Sequence, residues 1–241
     1  MALMEAKETA TTEELAHFLK VSEMTVRRDL DYFQRGGKLQ RCHGGAVLVQ
    51  RTVGEAAYEQ KMAKDMEAKR RLADIAASLV KPGMTVYLDA GTTTYCLAEA
   101  IAQMEGLTVI TNDLKIALRL LASPAEIVVL GGQVQKGTGS MLGDVALEQL
   151  GQLRPAIAFL GSASIDARLY NLTPTQEKAF LKQAVRSVAQ SCYLIADASK
   201  FHSSALYAID SPSVYDGVIT DAVLSESEKR LLGKRTRLMT P

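Results

Sequence analysis

The 241-residue chain has little cysteine, no long apolar run and almost no net charge, and each shortage narrows what it can be. Its three cysteines, Cys42, Cys96 and Cys192, stand far apart, with no CxxC pair and no histidine at zinc-finger spacing. Neither a disulfide framework nor a structural metal is expected. His17, His43 and His202 fall in different segments, so a histidine metal site or triad has no support, and no cofactor is expected. No apolar stretch approaches the ~18 residues of a membrane span. The opening MALMEAKETA carries charge from Glu5 onward, which leaves no room for a secretory apolar core. The expected compartment is the cytoplasm, with no membrane partner. Twenty-eight Lys and Arg against 27 Asp and Glu leave a net charge of +1. That argues against a uniformly basic nucleic-acid coat but is silent on local patches that cancel in the sum.

What is present divides near residue 55. Before it the chain is charge-dense; after about residue 72, short apolar runs alternate with helix-like stretches. The runs are TVYL (85–88), LTVI (107–110), EIVVL (126–130), AIAFL (156–160), CYLI (192–195) and GVIT (217–220). Each is bounded by turn residues, as buried parallel strands are. Helical patterns over 95–102, 114–121, 145–150 and 174–189 separate them, which predicts a doubly wound, mainly parallel α/β domain. Residues 54–71, mixed in charge, read as a linker running into a helix that Leu72, Ile75, Ala76 and Leu79 continue until Pro82-Gly83. The expected division is therefore 1–53, a linker over 54–71, and 72–241. No internal repeat or low-complexity tract is visible.

In the first part, Thr11 with Glu14 fits a capping box, and Leu15, Phe18 and Leu19 supply one apolar face of a short helix. After a turn at Lys20-Val21, Ser22 is a suitable N-cap for a second helix in which Val26, Leu30 and Phe33 point inward. At ~100° per residue, Met24, Arg28, Asp31 and Arg35 fall on the opposite face, with Thr25 and Arg27 on its flanks. Two short helices joined by a tight turn are the layout of a helix-turn-helix. Gly36-Gly37 then breaks the helix, and KLQR and AVLV flank a turn at His43-Gly44-Gly45, a candidate β-hairpin wing. Residues 27–51 carry a net charge of +4, the patch that the overall sum conceals. Arg27, Arg28 and the basic wing are suited to phosphates and base edges. A lone RRD would read as a solvated helix face; its coincidence with the capped helix pair, glycines and basic hairpin favours DNA.

Residues 14–46, ELAHFLKVSEMTVRRDLDYFQRGGKLQRCHGGA, resemble the winged helix-turn-helix signature of DeoR-type bacterial transcriptional regulators. Residues 21–30 match the recognition helix and residues 41–46 the wing. The resemblance implies DNA contacts from Ser22, Thr25, Arg27, Arg28, Arg41 and His43. Cys42 stands where the family commonly has an aliphatic residue, and only MALMEAK is available for the family's usual first helix.

In the second part, the strand TVYL is followed by Asp89, Ala90, Gly91, Thr92, Thr93 and Thr94 and then a helix. A glycine and three hydroxyls at a helix N-terminus form a natural phosphate site, with free amides, a favourable dipole and hydroxyl donors. The bland alternative is that the threonines only cap the helix. Without a GK[ST] ending or a GxGxxG turn, an NTPase or dehydrogenase is disfavoured. Residues 111–113, Gly131-Gly132, Gly161-Ser162 and residues 197–200 also follow strands, and such loops converge on one crevice in an open α/β sheet. Gly131-Gly132 reads equally well as a plain turn.

The same resemblance extends to residues 89–94, 111–112, 130–132, 159–166 and 196–201, which are similar to the effector domain of DeoR-type regulators. That fold is similar to ribose-5-phosphate isomerase, glucosamine-6-phosphate deaminase and CoA transferases. It implies a phosphorylated sugar or related metabolite held by Asp89, Gly91, Thr92, Thr93, Asn112, Asp166, Glu177, Lys182 and Lys200, to which the reading of the loops adds Thr94 and Gly131. Ser164 and Asn171 stand where the family often has glycine. The expected function is a homo-oligomeric repressor of a sugar-catabolic operon, bound to operator DNA and controlled by such an effector, and not an enzyme. The alternative is a sugar-phosphate isomerase or deaminase with an accessory N-terminal module, using Asp166 or Glu177 as base.

Overall fold

The computed structural model describes residues 9–35, 39–42, 44–48 and 58–241. The chain divides into two compact units, Met1–Arg51 and Thr52–Pro241.

The first unit is built from β1 (Thr9–Thr11), α1 (Thr12–Leu19), α2 (Glu23–Arg35), β2 (Leu39–Cys42) and β3 (Gly45–Leu48). Thr11 caps α1 as its sequence foretold: its Oγ1 accepts Glu14 N (3.1 Å), and Thr11 N donates to Glu14 Oε2 (2.9 Å). Lys20 ends the helix in the left-handed conformation, and Val21 N donates back to Ala16 O (3.1 Å). Ser22 Oγ then accepts Thr25 N (3.2 Å) and opens α2. Val26 and Leu30 of α2 are buried with Leu15, Ala10 and Ala46, and Phe33 packs against them. Phe18 and Leu19 do not join this core. They are 57% and 50% exposed, because only the Thr12 and Leu15 side of α1 meets α2 and the sheet.

The wing hairpin pairs Cys42 with Gly45 and Arg41 with Ala46. A third strand, β1, joins it antiparallel, giving the order β1-β3-β2. Three residues, Thr-Ala-Thr, carry no strand signature of their own, so this pairing is a tertiary effect. It also explains Gly45, where an added Cβ would overlap Ala10 O and lie 2.9 Å from Thr11 Cα. Gly45→Ala should therefore cost ~1–3 kcal/mol through overpacking. Hydrogen exchange of the full chain should speed up over β1 and β3 and stay unchanged beyond Tyr58.

The second unit contains α3 (Tyr58–Met62), α4 (Met66–Ala77), β4 (Thr85–Leu88), α5 (Thr92–Ile101), β5 (Thr108–Thr111), α6 (Leu114–Leu120) and β6 (Glu126–Val129). There follow β7 (Gln133–Gln135), β8 (Ser140–Leu142), α7 (Asp144–Gly151), β9 (Ile157–Gly161), β10 (Ser164–Ile165) and β11 (Asn171–Thr173). The chain ends with α8 (Gln176–Val188), β12 (Cys192–Ile195), β13 (Tyr207–Asp210), β14 (Gly217–Ile219), α9 (Glu226–Leu231) and β15 (Arg237–Met239). Seven strands form one sheet in the order β15-β14-β12-β9-β4-β5-β6, every neighbouring pair parallel. Alternation along the strands feeds two cores. Val86, Leu88 and Phe159 meet Leu72, Leu97 and Ile116 on one face. Tyr87, Ala158 and Leu160 meet Ala146, Leu181 and Val185 on the other. The chain runs outward from β4 through β5 to β6, then returns to place β9 on the other side of β4. The crevice beyond β4 and β9 is thus the switch point where open α/β sheets bind ligands.

The helix expected after the linker is α4, and Leu72 and Ala76 are buried as its spacing requires. Two small antiparallel assemblies, β7-β8 and β10-β11-β13, and the edge strand β15 extend the expected scheme. Neither Ser164 nor Asn171 needs a glycine-like backbone. The left-handed residue of that hairpin is Leu169 (φ 60°), whose side chain is buried in the core and so held in place.

Candidate functional site

The first candidate surface is the N-terminal half of α2. Capping by Ser22 fixes where the helix starts, and burial of Val26 and Leu30 fixes which way it is turned. Met24, Thr25, Arg27 and Arg28 are left exposed, as the helical spacing requires. Ser22 Oγ also lies 3.0 Å from Thr25 Oγ1, so the two hydroxyls hold each other. Arg27 Nη2 donates to Glu23 Oε2 (3.1 Å) across one exposed turn, with side chains 59% and 51% accessible. An exposed pair of this kind is worth at most ~1 kcal/mol and yields readily to a phosphate. Arg41 lies on β2 opposite Ala46. His43, Gly36-Gly37, Lys38 and Arg51 of the expected wing and patch, the opening MALMEAK, and the linker up to residue 57 lie outside the described residues.

The second site is at the switch point. Asp89 is carried past the end of β4 by its backbone bond to Phe159 O (3.1 Å) and is 2% exposed. Its Oδ2 accepts Gly161 N (2.9 Å) and the ammonium of Lys182. Lys182 reaches inward from α8 and also donates to Gly161 O (2.9 Å). One glycine at the end of β9 thus bonds to both members of a buried ion pair whose partners are 93 residues apart in the chain.

Asn112 is equally committed. Its Oδ1 accepts Tyr87 Oη (3.0 Å) and Ala90 N (3.1 Å), and its Nδ2 donates to Met141 O (3.3 Å). Burial pushes the Tyr87 phenol up, and the Asp89 carboxylate adds to the effect. Asp113 Oδ1 caps α6 by accepting Lys115 N (2.7 Å), and its Oδ2 accepts Gly91 N (3.2 Å). Burial raises the Asp113 carboxyl above its ordinary value, against the amides of Lys115 and Ile116 that favour its ionised form. Tyr95 N is the first amide of α5 to bond backward, to Gly91 O (2.9 Å), which leaves those of Thr92, Thr93 and Thr94 as helix-end donors. The Thr94 hydroxyl does bond locally, to Gly91 O (3.0 Å).

A small crevice is lined by Asp89, Ala90, Asn112, Ser140, Leu142, Lys178, Leu181 and Lys182. The structure thus brings Asp89, Asn112 and Lys182 together in the crevice wall; Gly91 to Thr94 follow the lining residue Ala90 in the chain but do not themselves line it. It does not bring the other expected residues to the crevice wall. Asp166 Oδ1 accepts Arg168 N and Tyr170 N, both at 2.9 Å, and closes the β10–β11 turn. Glu177 is exposed in the first turn of α8. Lys200 lies 3.9 Å from Asp197. Gly131 N donates to Gln149 Oε1 (2.7 Å). Sequence reasoning missed Lys178 and Ser140. Lys178 has a signal after the fact, being one helical turn before Lys182; Ser140 opens a strand of only three residues, Ser-Met-Leu, with none.

Known families match both units. The model of the DeoR-like helix-turn-helix domain matches residues 1–52, and that of the DeoR C terminal sensor domain matches residues 64–222. The uncharacterised HTH-type transcriptional regulator YgbI of Escherichia coli (strain K12) is 36% identical over 236 residues, covering 98% of this chain and 92% of that one. The glycerol-3-phosphate regulon repressor of the same strain is 32% identical over 213 residues, covering 88% and 84%. Among solved structures, ribose 5-phosphate isomerase A from Methanocaldococcus jannaschii overlaps 57% of this chain and 55% of that one, at 19% identity and a TM-score of 0.42.

Proposed function

The chain belongs to the DeoR family of DNA-binding transcriptional regulators, and we propose that it represses a sugar-catabolic operon and leaves its operator when a phosphorylated sugar binds the switch-point crevice. The observation that carries this reading is the arrangement around Asp89. A buried carboxylate and ammonium, suited to sugar hydroxyls, stand beside the amides and dipole of the α5 N-terminus, suited to a phosphate. Relatives named as repressors support it, among them the glycerol-3-phosphate regulon repressor and the putative aga operon transcriptional repressor of Escherichia coli O157:H7.

The protein acts as a homo-oligomer in the cytoplasm, presenting paired recognition helices to half-sites about one DNA turn apart. No helix among the described residues is long and apolar enough to cross a membrane. The effector binds more tightly to the form that does not fit the operator, since equal affinity for both forms would shift nothing. The chain is a regulator and not an isomerase. Turnover would need a free carboxylate base facing the substrate, but Asp166 accepts two backbone amides in its own turn, Glu177 is on the surface, and the Asp89 carboxylate in the crevice wall is held by Gly161 N and Lys182.

The test is a thermal-shift series with ribose 5-phosphate, fructose 6-phosphate, glucosamine 6-phosphate and their unphosphorylated sugars, followed by operator binding with each hit. Ligand at ~100 Kd adds about 2.7 kcal/mol. For a domain of this size that is ~5–11 °C in Tm. A shift with a phosphorylated sugar, coupled to loss of operator binding, is the expected result. Equal shifts with the unphosphorylated sugars, or steady conversion of any of these compounds, would overturn the reading.

A further inference from the structure

The short helix α3 is the first described element after the wing, and both of its ends are anchored to the sensor domain. At its start, Tyr58 N donates to Gly137 O (3.1 Å). The Tyr58 ring meets Tyr95 of α5 edge-on, with centroids 6.4 Å apart, and the Lys115 ammonium sits 4.2 Å from the centroid of the Tyr58 ring. At its end, buried Lys69 of α4 donates from Nζ to Lys64 O (2.5 Å) and to Lys61 O. Lys115 in turn donates from Nζ to Thr138 O (3.0 Å), and its amide is capped by Asp113, whose second oxygen accepts Gly91 N. A continuous series of contacts therefore runs from the linker helix through Lys115 and Asp113 to the glycine that opens α5.

One atom in this series is unsatisfied. The Tyr58 hydroxyl is buried, yet has no hydrogen-bond partner among the described residues. Leaving a buried hydroxyl unpaired is unfavourable, and phenylalanine would fill the same space without that cost. Burial pushes the phenol up, and of the charges around it the Asp113 carboxylate acts on it most. Asp113 Oδ2 already has a donor, Gly91 N, and Gly91 is the residue at which the proposed effector phosphate would draw backbone amides toward itself.

We propose that Tyr58 reads occupancy of the effector site: when an anion takes the Gly91 N–H, Asp113 Oδ2 loses that donor and the Tyr58 hydroxyl replaces it, moving the start of the linker helix. The exchange keeps the number of donors to Asp113 constant. It gives the hydroxyl a partner in the bound state only, which is the differential contact that a population shift needs. Tyr58 and Lys115 are thus positioning residues, since neither lines the crevice. The inference rests on the reading that a phosphorylated sugar binds at the Gly91 turn. Couplings between sites typically span ~5- to 150-fold in affinity, and reciprocity requires operator DNA to weaken effector binding by the same factor.

The test uses full-length Tyr58→Phe beside the wild type. The probes are ribose 5-phosphate, fructose 6-phosphate, glucosamine 6-phosphate and inorganic phosphate, with a DNA duplex selected from a random pool by the wild type. The variant should keep its melting temperature and its DNA affinity without ligand within ~2-fold. It should lose at least ~5-fold of the ligand-induced fall in DNA affinity, and DNA should lose the same factor in weakening the ligand. If the wild type responds to a probe and Tyr58→Phe responds equally, the relay is wrong while the effector reading stands. If the wild type binds none of the probes, both are wrong.

Discussion

Replacing Lys182 with methionine should destabilise the sensor domain by ~3–5 kcal/mol, the characteristic cost of leaving a buried charge without its partner. The Asp89 and Lys182 side chains are only 3% and 9% accessible, so neither charge can turn to water when the other is removed. Gly161 N would remain as a donor to Asp89 Oδ2, but one amide does not offset a lost ammonium. At ~2–4 °C per kcal/mol for a domain of this size, the melting temperature should fall by ~6–20 °C. Asp89→Asn combined with Lys182→Met should recover much of the loss, because the pair is removed together and a neutral amide can still accept from Gly161 N. Both proteins should fail to respond to a phosphorylated sugar. A single variant that melts within ~1 kcal/mol of wild type would show that the pair is not the closed, buried contact described. A double variant as unstable as the sum of the singles would show that the two groups act independently.

That contact also marks the limit of what could be read in advance. Asp89 was legible because it follows an apolar run and precedes a glycine and three threonines, a local pattern. Its attachment to Lys182 was not, since α8 reaches the end of β4 only through the three-dimensional return of the chain. The central strands were legible for a simple reason: they are buried on both faces and made of Val, Ile, Leu and Phe. The strands that escaped notice are short, or lie at an edge. Gln133–Gln135 and Ser140–Leu142 pair with each other as a separate ribbon, and Arg237–Met239 is an edge strand with one exposed position. In the first unit the helix pair followed from capping and spacing. The outward position of Phe18 and Leu19 did not, because periodicity states which residues could face a core but not how far that core extends along a two-turn helix.

On the DNA side, Arg27→Ala with Arg28→Ala should weaken operator binding by ~30- to 10⁴-fold, taking ~1–3 kcal/mol for each arginine. The protein should nonetheless remain folded. Val26 and Leu30 hold the helix in place, and the ion pair that Arg27 gives up with Glu23 is exposed and weak. Anisotropy titrations at several salt concentrations separate the contributions, because each phosphate contact removed lowers the slope of log K against log[salt] by ~0.9. Two phosphate contacts would remove ~1.8 from the slope and weaken random-sequence DNA by the same factor as the operator. An arginine seated on a guanine edge behaves differently, lowering operator affinity far more than non-specific affinity while changing the slope little. Arg28, on the helix face opposite Val26 and Leu30, is the better placed for a base edge, and Arg27 on the flank for the backbone. Arg28→Ala should therefore reduce the ratio of specific to non-specific binding, and Arg27→Ala the salt slope. Unchanged affinity and slope in the double variant would remove α2 from the DNA interface.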